Sequence, residues 1–378
     1  MEKDRIQEVM DEIDDASVED IAEGLDVDEE EVMDVKLDDI ENNAEEQRHE
    51  MEEFEERVEE HQKAFRELID EIQEVIVGQE DVVEHVITAI ICDGNVLLEG
   101  VPGLGKSLLV ESLAETITDT EHNRIQFVPD MLPSDILGQR VYNQGQGEFH
   151  INKGPVFTNF LLADEINRAP PKTQAALMEV MQEKKVTIGE ETFQLEPPYI
   201  VLATQNPVEQ KGTYPLPEAI MDRFFMKLEL NYPDRSDENL ILERNSIRDT
   251  NIFDRLDQVM DKQQILHAQE DVRDIHLSEE VRDYITRLIT TARGETDQKI
   301  DMIKYVDYAP SPRASIWLSM GASAQAMLDG RTYATPKDVK DVAKPVLRHR
   351  IDVNYEGKLK EIDSNQIVDA LLDYVKAE

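Results

Sequence analysis

One cysteine, Cys92, occurs in 378 residues. A lone thiol gives no intrachain disulfide and no cysteine-built metal site, so it is expected as a small buried residue. Long apolar runs are missing as well: nothing approaches the roughly 18 residues of a membrane-spanning segment. The first residues are acidic and carry no apolar signal-peptide core. Both point to a cytoplasmic chain with no membrane insertion. Basic residues are scarce, 39 Lys and Arg against 83 Asp and Glu, for a net charge of −44. Without a basic stripe to neutralise phosphates, direct nucleic-acid binding is not expected. The acidity runs through the whole chain. That suits a halophilic cytoplasm, where carboxylates keep a surface hydrated and salt screens their repulsion. No internal repeat or low-complexity linker occurs, and the length allows two or three domains with ample core.

What is there is organised around Asn95 to Leu109. Val96, Leu97 and Leu98 read as a buried strand that breaks at Gly100. Gly100, Gly103, Gly105, Lys106 and Ser107 then fit the spacing G-x-x-x-x-G-K-[ST], and Leu108, Leu109 and Leu113 continue as a helical pattern. Strand, glycine loop and helix in that order predict a phosphate cradle for a nucleoside triphosphate. A chance glycine-rich turn would lack those flanks. The candidate residues are Gly100, Pro102, Gly103, Leu104 and Gly105 in the loop, then Lys106, Ser107 and Leu108 at the helix start. Lys106 would neutralise the β- and γ-phosphates, and the Ser107 hydroxyl would ligate Mg²⁺.

A second apolar strand, Phe160 to Ala163, ends in Asp164-Glu165. Paired acids mean little in so acidic a chain, but here the preceding strand gives them a place. Asp164 is expected to hold Mg²⁺ through its water shell, and Glu165 to orient and polarise the attacking water. Asn206, at the end of the strand Tyr199 to Thr204, would reach the same γ-phosphate.

Strands alternating with helices over Gln79 to Leu230 predict an α/β fold with a parallel sheet covered on both faces. Arg124 to Val128 and Phe224 to Leu230 read as two further strands. Gln139 to Phe149 and Lys185 to Leu195 read as β-hairpins. From about Pro233 the pattern turns helical. Residues 1 to 70 form an acidic helical extension with about half of the chain's charge excess. Within it, Ser17 to Val32 has a helix-turn-helix look, with Ser17 and Asp28 as caps and Gly24 as a stop. With that charge, an interaction or assembly module suits it better than DNA reading. The expected domains are 1–70, 71–233 and 234–378.

Phe160 to Glu183 closely resembles the Walker B region of MoxR-type AAA+ ATPases, a helix-2-insert group. So do Ala203 to Pro207, Leu216 to Phe224 and Ser311 to Ala314. The resemblance covers about residue 70 to the end, and Tyr333 to Val339 fits it well. It implies a P-loop core with a five-stranded parallel sheet and an all-helical lid, assembled as a ring, usually a hexamer. Asn206 looks like sensor 1, Arg223 like the arginine finger and Arg313 like sensor 2, acting in cis or across the interface. Val77-Gly78-Gln79 resembles the segment beside the adenine. The two hairpins resemble insertions that face the ring pore and touch the client. The acidic extension lies outside the family core, so its role is not inherited.

The resemblance implies an ATP-hydrolysing, chaperone-like remodeller or activator of other proteins, often with von Willebrand A-domain partners. Two alternatives stand beside it. One is the ATPase subunit of a metal-chelatase-like complex; the other is a nucleotide-gated regulatory scaffold with slow turnover. A retained Glu165 counts against a pure switch. A DNA helicase comes last, because the hairpins carry few cations for a strand.

Overall fold

The computed structural model describes residues 28–145, 147–207, 212–245, 252–295 and 300–377. The helix-turn-helix-like stretch falls largely outside them. The chain divides into two compact units, Met1–Arg57 and Val58–Glu378. In the first, the described part is the start of helix α1 (Glu29–Gln73), which begins just after Asp28. The rest concerns the second unit, in which α1 buries Val58, Phe65, Leu68, Ile69 and Ile72. Phe65, Leu68, Ile69 and Ile72 are linked by three- and four-residue steps and Val58 lies seven residues before Phe65, the spacing of one helix face.

Helix α2 (Glu80–Ile91) leads into strand β1 (Val96–Glu99), and α3 (Lys106–Thr116) follows the glycine loop. Next come β2 (His122–Gln126), the hairpin β3 (Gly138–Asn143) and β4 (Glu148–Lys153), and strand β5 (Phe160–Asp164). Helix α4 (Pro171–Glu183) precedes a second hairpin, β6 (Lys185–Ile188) and β7 (Glu191–Gln194). Strand β8 (Ile200–Gln205), the short helix α5 (Glu218–Met221) and strand β9 (Met226–Glu229) complete the core.

Five strands form one parallel sheet in the order β9-β1-β8-β5-β2. The central strands are apolar and buried until their last one or two residues, as expected for a sheet covered by helices, and turn polar only at their carboxyl ends. Its register decides the site. Glu99 pairs with Gln205, and Gln126 pairs with Asp164, so the carboxyl ends of four strands lie in one row. That edge is where open α/β sheets bind ligands. Two strands differ from the sequence expectation: β2 lies two residues earlier, at His122–Gln126, and β9 is shorter, starting at Met226 and ending at Glu229. Phe127 still donates to Asp164 O at 2.9 Å, whereas Val128 is exposed.

After β9 come α6 (Arg235–Asn245), α7 (Lys262–Asp271), α8 (Glu279–Ala292), α9 (Pro312–Leu328), α10 (Pro336–Leu347) and α11 (Ser364–Tyr374). This part is a helical lid, interrupted only by small ladders such as Val306–Tyr308 with Asp352–Val353 among the described residues. Cys92 is buried, as its isolation suggests, and burial pushes its thiol pKa up.

Candidate functional site

The loop after β1 turns because Gly103 and Gly105 take φ of 91° and 79°, a left-handed backbone that side chains disfavour. Gly105 then serves as the cap of α3, which leaves the first N–H groups of that helix free to face an anion. Pro102, Gly103, Gly105, Lys106, Ser107 and Leu108 line a cavity here. On its far wall stand Asp164, Glu165 and Asn206, from the ends of β5 and β8. The three acid-and-amide positions expected from sequence therefore meet the glycine loop across one space.

Lys106 Nζ donates to Gly100 O at 2.6 Å, folding the ammonium back onto its own loop. Partial burial lowers the Lys106 pKa, and the negative charges of Asp164, Glu165 and Glu99 pull the other way. Asp164 is nearly buried. It accepts from Thr204 Oγ1 at 2.6 Å and from Arg124 Nη2, also at 2.6 Å. Glu165 has φ 57°, a left-handed conformation costly for a residue with a side chain. Its N–H donates to Thr204 Oγ1 at 2.9 Å. Its Oε2 accepts from Gln126 Nε2 at 2.8 Å and stands 3.1 Å from Arg168 Nη1. One threonine hydroxyl thus fixes both acids, and two cations and an amide hold their free oxygens.

A second, more apolar cavity adjoins the first across Gly103, Gly105 and Leu108. Val77 and Leu104 line it as expected, along with Gln79. Ile76, Pro233, Ile241 and Arg244 join them from elements that sequence reasoning did not place there. Gly78 is not on the wall. Its φ of 70° bends the chain, and a Cβ there would meet Asp237 Oδ2 at 2.6 Å. Gly100 is likewise off both walls, packed against Leu230 where the strand ends. An apolar slot joined to a polar, amide-rich cradle matches a heterocyclic base joined to a phosphate chain.

Arg223 and Arg313 line neither cavity. Arg313 sits at the start of α9, with Nη1 3.3 Å from Asp222 Oδ2. Ser311, which caps α9, donates its hydroxyl to the same carboxylate at 2.9 Å. Asp222 immediately precedes Arg223, so Arg313 is paired with the residue next to Arg223 in the chain. Arg124, Gln126 and Thr204 were missed from sequence, because their part in the site depends on which strands pair.

Comparison with known proteins follows the same division. A model of the ATPase family associated with various cellular activities (AAA) matches residues 95–226, and a model of the AAA lid domain matches 304–371. The chain is 41% identical over 304 residues to Chaperone MoxR1 of Mycobacterium tuberculosis, covering 80% of this chain and 79% of that protein. It is 39% identical over 302 residues to YeaC of Bacillus subtilis, covering 80% and 91%. A crystal structure of a protein from Cytophaga hutchinsonii superposes with a TM-score of 0.81 at 43% identity, over 87% of this chain and 99% of that one.

Proposed function

The chain belongs to the MoxR-type AAA+ ATPases, and on that premise we propose that it hydrolyses ATP to remodel or activate other proteins. The observation that carries the reading is the convergence of Lys106, Asp164, Glu165 and Asn206 on one cavity. The base would lie in the apolar slot beside Val77 and Gln79, and the phosphates in the loop. Lys106, released from Gly100 O, would pair with the β- and γ-phosphates. Ser107 and Asp164 offer hard oxygen donors of the kind Mg²⁺ takes, and there the ion would neutralise charge on the phosphate oxygens. Glu165 would accept hydrogen bonds from the attacking water and align it, with Asn206 holding the water or the γ-phosphate from the other side.

Arg223, next to Asp222 in the chain, and Arg313, paired with Asp222, line neither of this chain's cavities and would act on the site of a neighbouring subunit. A cation supplied across an interface stabilises charge on the transferring phosphoryl group and makes turnover depend on assembly. We take a ring of six from the family's usual form. Residues 71–233 would be its nucleotide-binding core, 234–378 its lid and 1–70 an appended acidic module. The hairpins β3–β4 and β6–β7 would face the pore. Tyr142 and Phe149, exposed on the first with ring centroids 5.0 Å apart, suit contact with a client such as a von Willebrand A-domain protein. The net charge of −44 supports work in a high-salt cytoplasm.

The test is ATP turnover from low to multimolar salt, wild type beside Glu165→Gln, with particle mass measured in each state. Turnover that rises with ring formation at high salt and vanishes in the variant is the expected result. A chain that binds ATP yet stays monomeric and idle in every salt would overturn the ring mechanism.

A further inference from the structure

Arg348, His349 and Arg350 follow α10 directly, and all three reach β9 or the residues leading into it. Arg348 Nη1 lies 3.0 Å from Glu229 Oε2, and His349 Nε2 lies 3.2 Å from Phe224 O. Arg350 is the most enclosed, its side chain 1% exposed. Its Nε donates to Asp222 Oδ1 at 3.0 Å and its Nη2 to Asp222 O at 3.0 Å. Nη2 also donates to Phe224 O at 2.5 Å, while Nη1 donates to Phe225 O at 3.1 Å and to Val346 O. One guanidinium therefore binds the residue before Arg223 and the two residues after it.

The segment 222–225 joins α5 to β9 and belongs to neither. Buried carbonyls in such a segment must find donors, and those of Asp222, Phe224 and Phe225 find Arg350. A planar fork with five N–H groups fixes that backbone more tightly than a flexible ammonium could. Arg223 Nε is buried with no hydrogen-bond partner among the described residues, so no polar contact at that nitrogen holds the side chain's direction. Burial lowers the Arg350 pKa to about 10, partly offset by Asp222, so the fork is a cation at neutral pH. At the other end of β9, Glu229 pairs in register with Glu99, the residue before Gly100. A single lid turn thus touches both the strand end beside its own phosphate loop and the backbone that carries Arg223.

We propose that Arg350 is a positioning residue that aims Arg223 at the neighbouring subunit's site, and that the turn 348–350 ties this aim to the lid. The proposal rests on the reading of Arg223 as acting in trans, and the test separates the two. Full-length Glu165→Gln chains, whose own sites are silent, are mixed in excess with wild-type chains in ring-forming salt. They carry no second change, Arg350→Lys, Arg350→Gln, Arg223→Ala, or both Arg223→Ala and Arg350→Lys. Turnover per wild-type subunit and ring mass are read together. Relative to Glu165→Gln alone, both Arg350 variants should cut kcat at least tenfold with KM within twofold. Arg223→Ala should match them, and adding Arg350→Lys to it should cost nothing more. Rings of normal mass in which the Arg350 variants leave turnover unchanged, while Arg223→Ala lowers it, would overturn the proposal alone. Exclusion of both Arg350 variants from rings would also overturn it, assigning the residue to structure. No effect from Arg223→Ala, or no ring in any salt, would overturn the reading beneath it.

Discussion

Thr204 donates its hydroxyl to Asp164 Oδ1 at 2.6 Å inside the sheet edge. Thr204 Oγ1 also accepts the Glu165 N–H at 2.9 Å, so one hydroxyl sets the spacing of the two acids. Thr204→Val keeps the shape but removes both bonds and leaves the Glu165 N–H without this acceptor. A lost hydrogen bond of this kind costs roughly 1–3 kcal/mol. We expect kcat to fall about tenfold or more with ATP affinity within twofold, and Thr204→Ser to restore it. Steady-state kinetics beside nucleotide titration checks this.

Arg124 and Gln126 stand on the acids, at 2.6 Å from Asp164 and 2.8 Å from Glu165. A guanidinium on Asp164 competes with a divalent cation, and an amide donor on Glu165 weakens it as an acceptor for water. Arg124→Gln should lower the Mg²⁺ concentration for half-maximal turnover. Gln126→Leu should raise basal kcat severalfold without changing ATP affinity. Unchanged Mg²⁺ dependence in the first variant would show that the pair is not in competition.

Lys106 binds its proton less tightly than an ordinary lysine, chiefly through burial. Only the cation attracts the phosphates, so ATP affinity should fall as pH rises into the alkaline range, and earlier than an unshifted lysine would allow. Arg at this position stays protonated throughout. Lys106→Arg should therefore flatten that alkaline limb even where it weakens binding overall. Affinity measured by nucleotide titration across pH reads the difference.

His349 is buried against Arg350, and burial first, then that neighbouring charge, holds its pKa well below the usual value. The unfolded chain takes up a proton as pH falls below about 6.5, whereas the folded chain does not until far lower. Stability from this group is thus present above that value and lost as pH falls toward the folded pKa, by up to about 1.4 kcal/mol per pH unit. His349→Gln should make thermal unfolding less steep in acid than in wild type, and the two should converge in slope above neutrality.

Some of this was plain in the chain. The glycine loop and the acids after Ala163 are local patterns, each carried on one strand and the turn that follows it. Each pattern is carried by residues within a few positions of one another, so spacing alone reveals it. Arg124, Gln126 and Thr204 enter the site only because β2 and β8 flank β5. Nothing within either strand announces its neighbour. The apolar pattern of the fifth strand starts at Phe224, two residues before β9 does, for a related reason: the carbonyls of Phe224 and Phe225 go to Arg350.

A glycine loop, the acids across from it and a parallel sheet to hold them can be read in the chain alone, because periodicity and loop chemistry are short-range. Tertiary structure alone decided where the cations point. Arg313 meets Asp222 across 91 positions and Arg350 meets it across 128. Contacts at such separations are fixed by how the lid packs on the sheet, and no local pattern of residues encodes that packing.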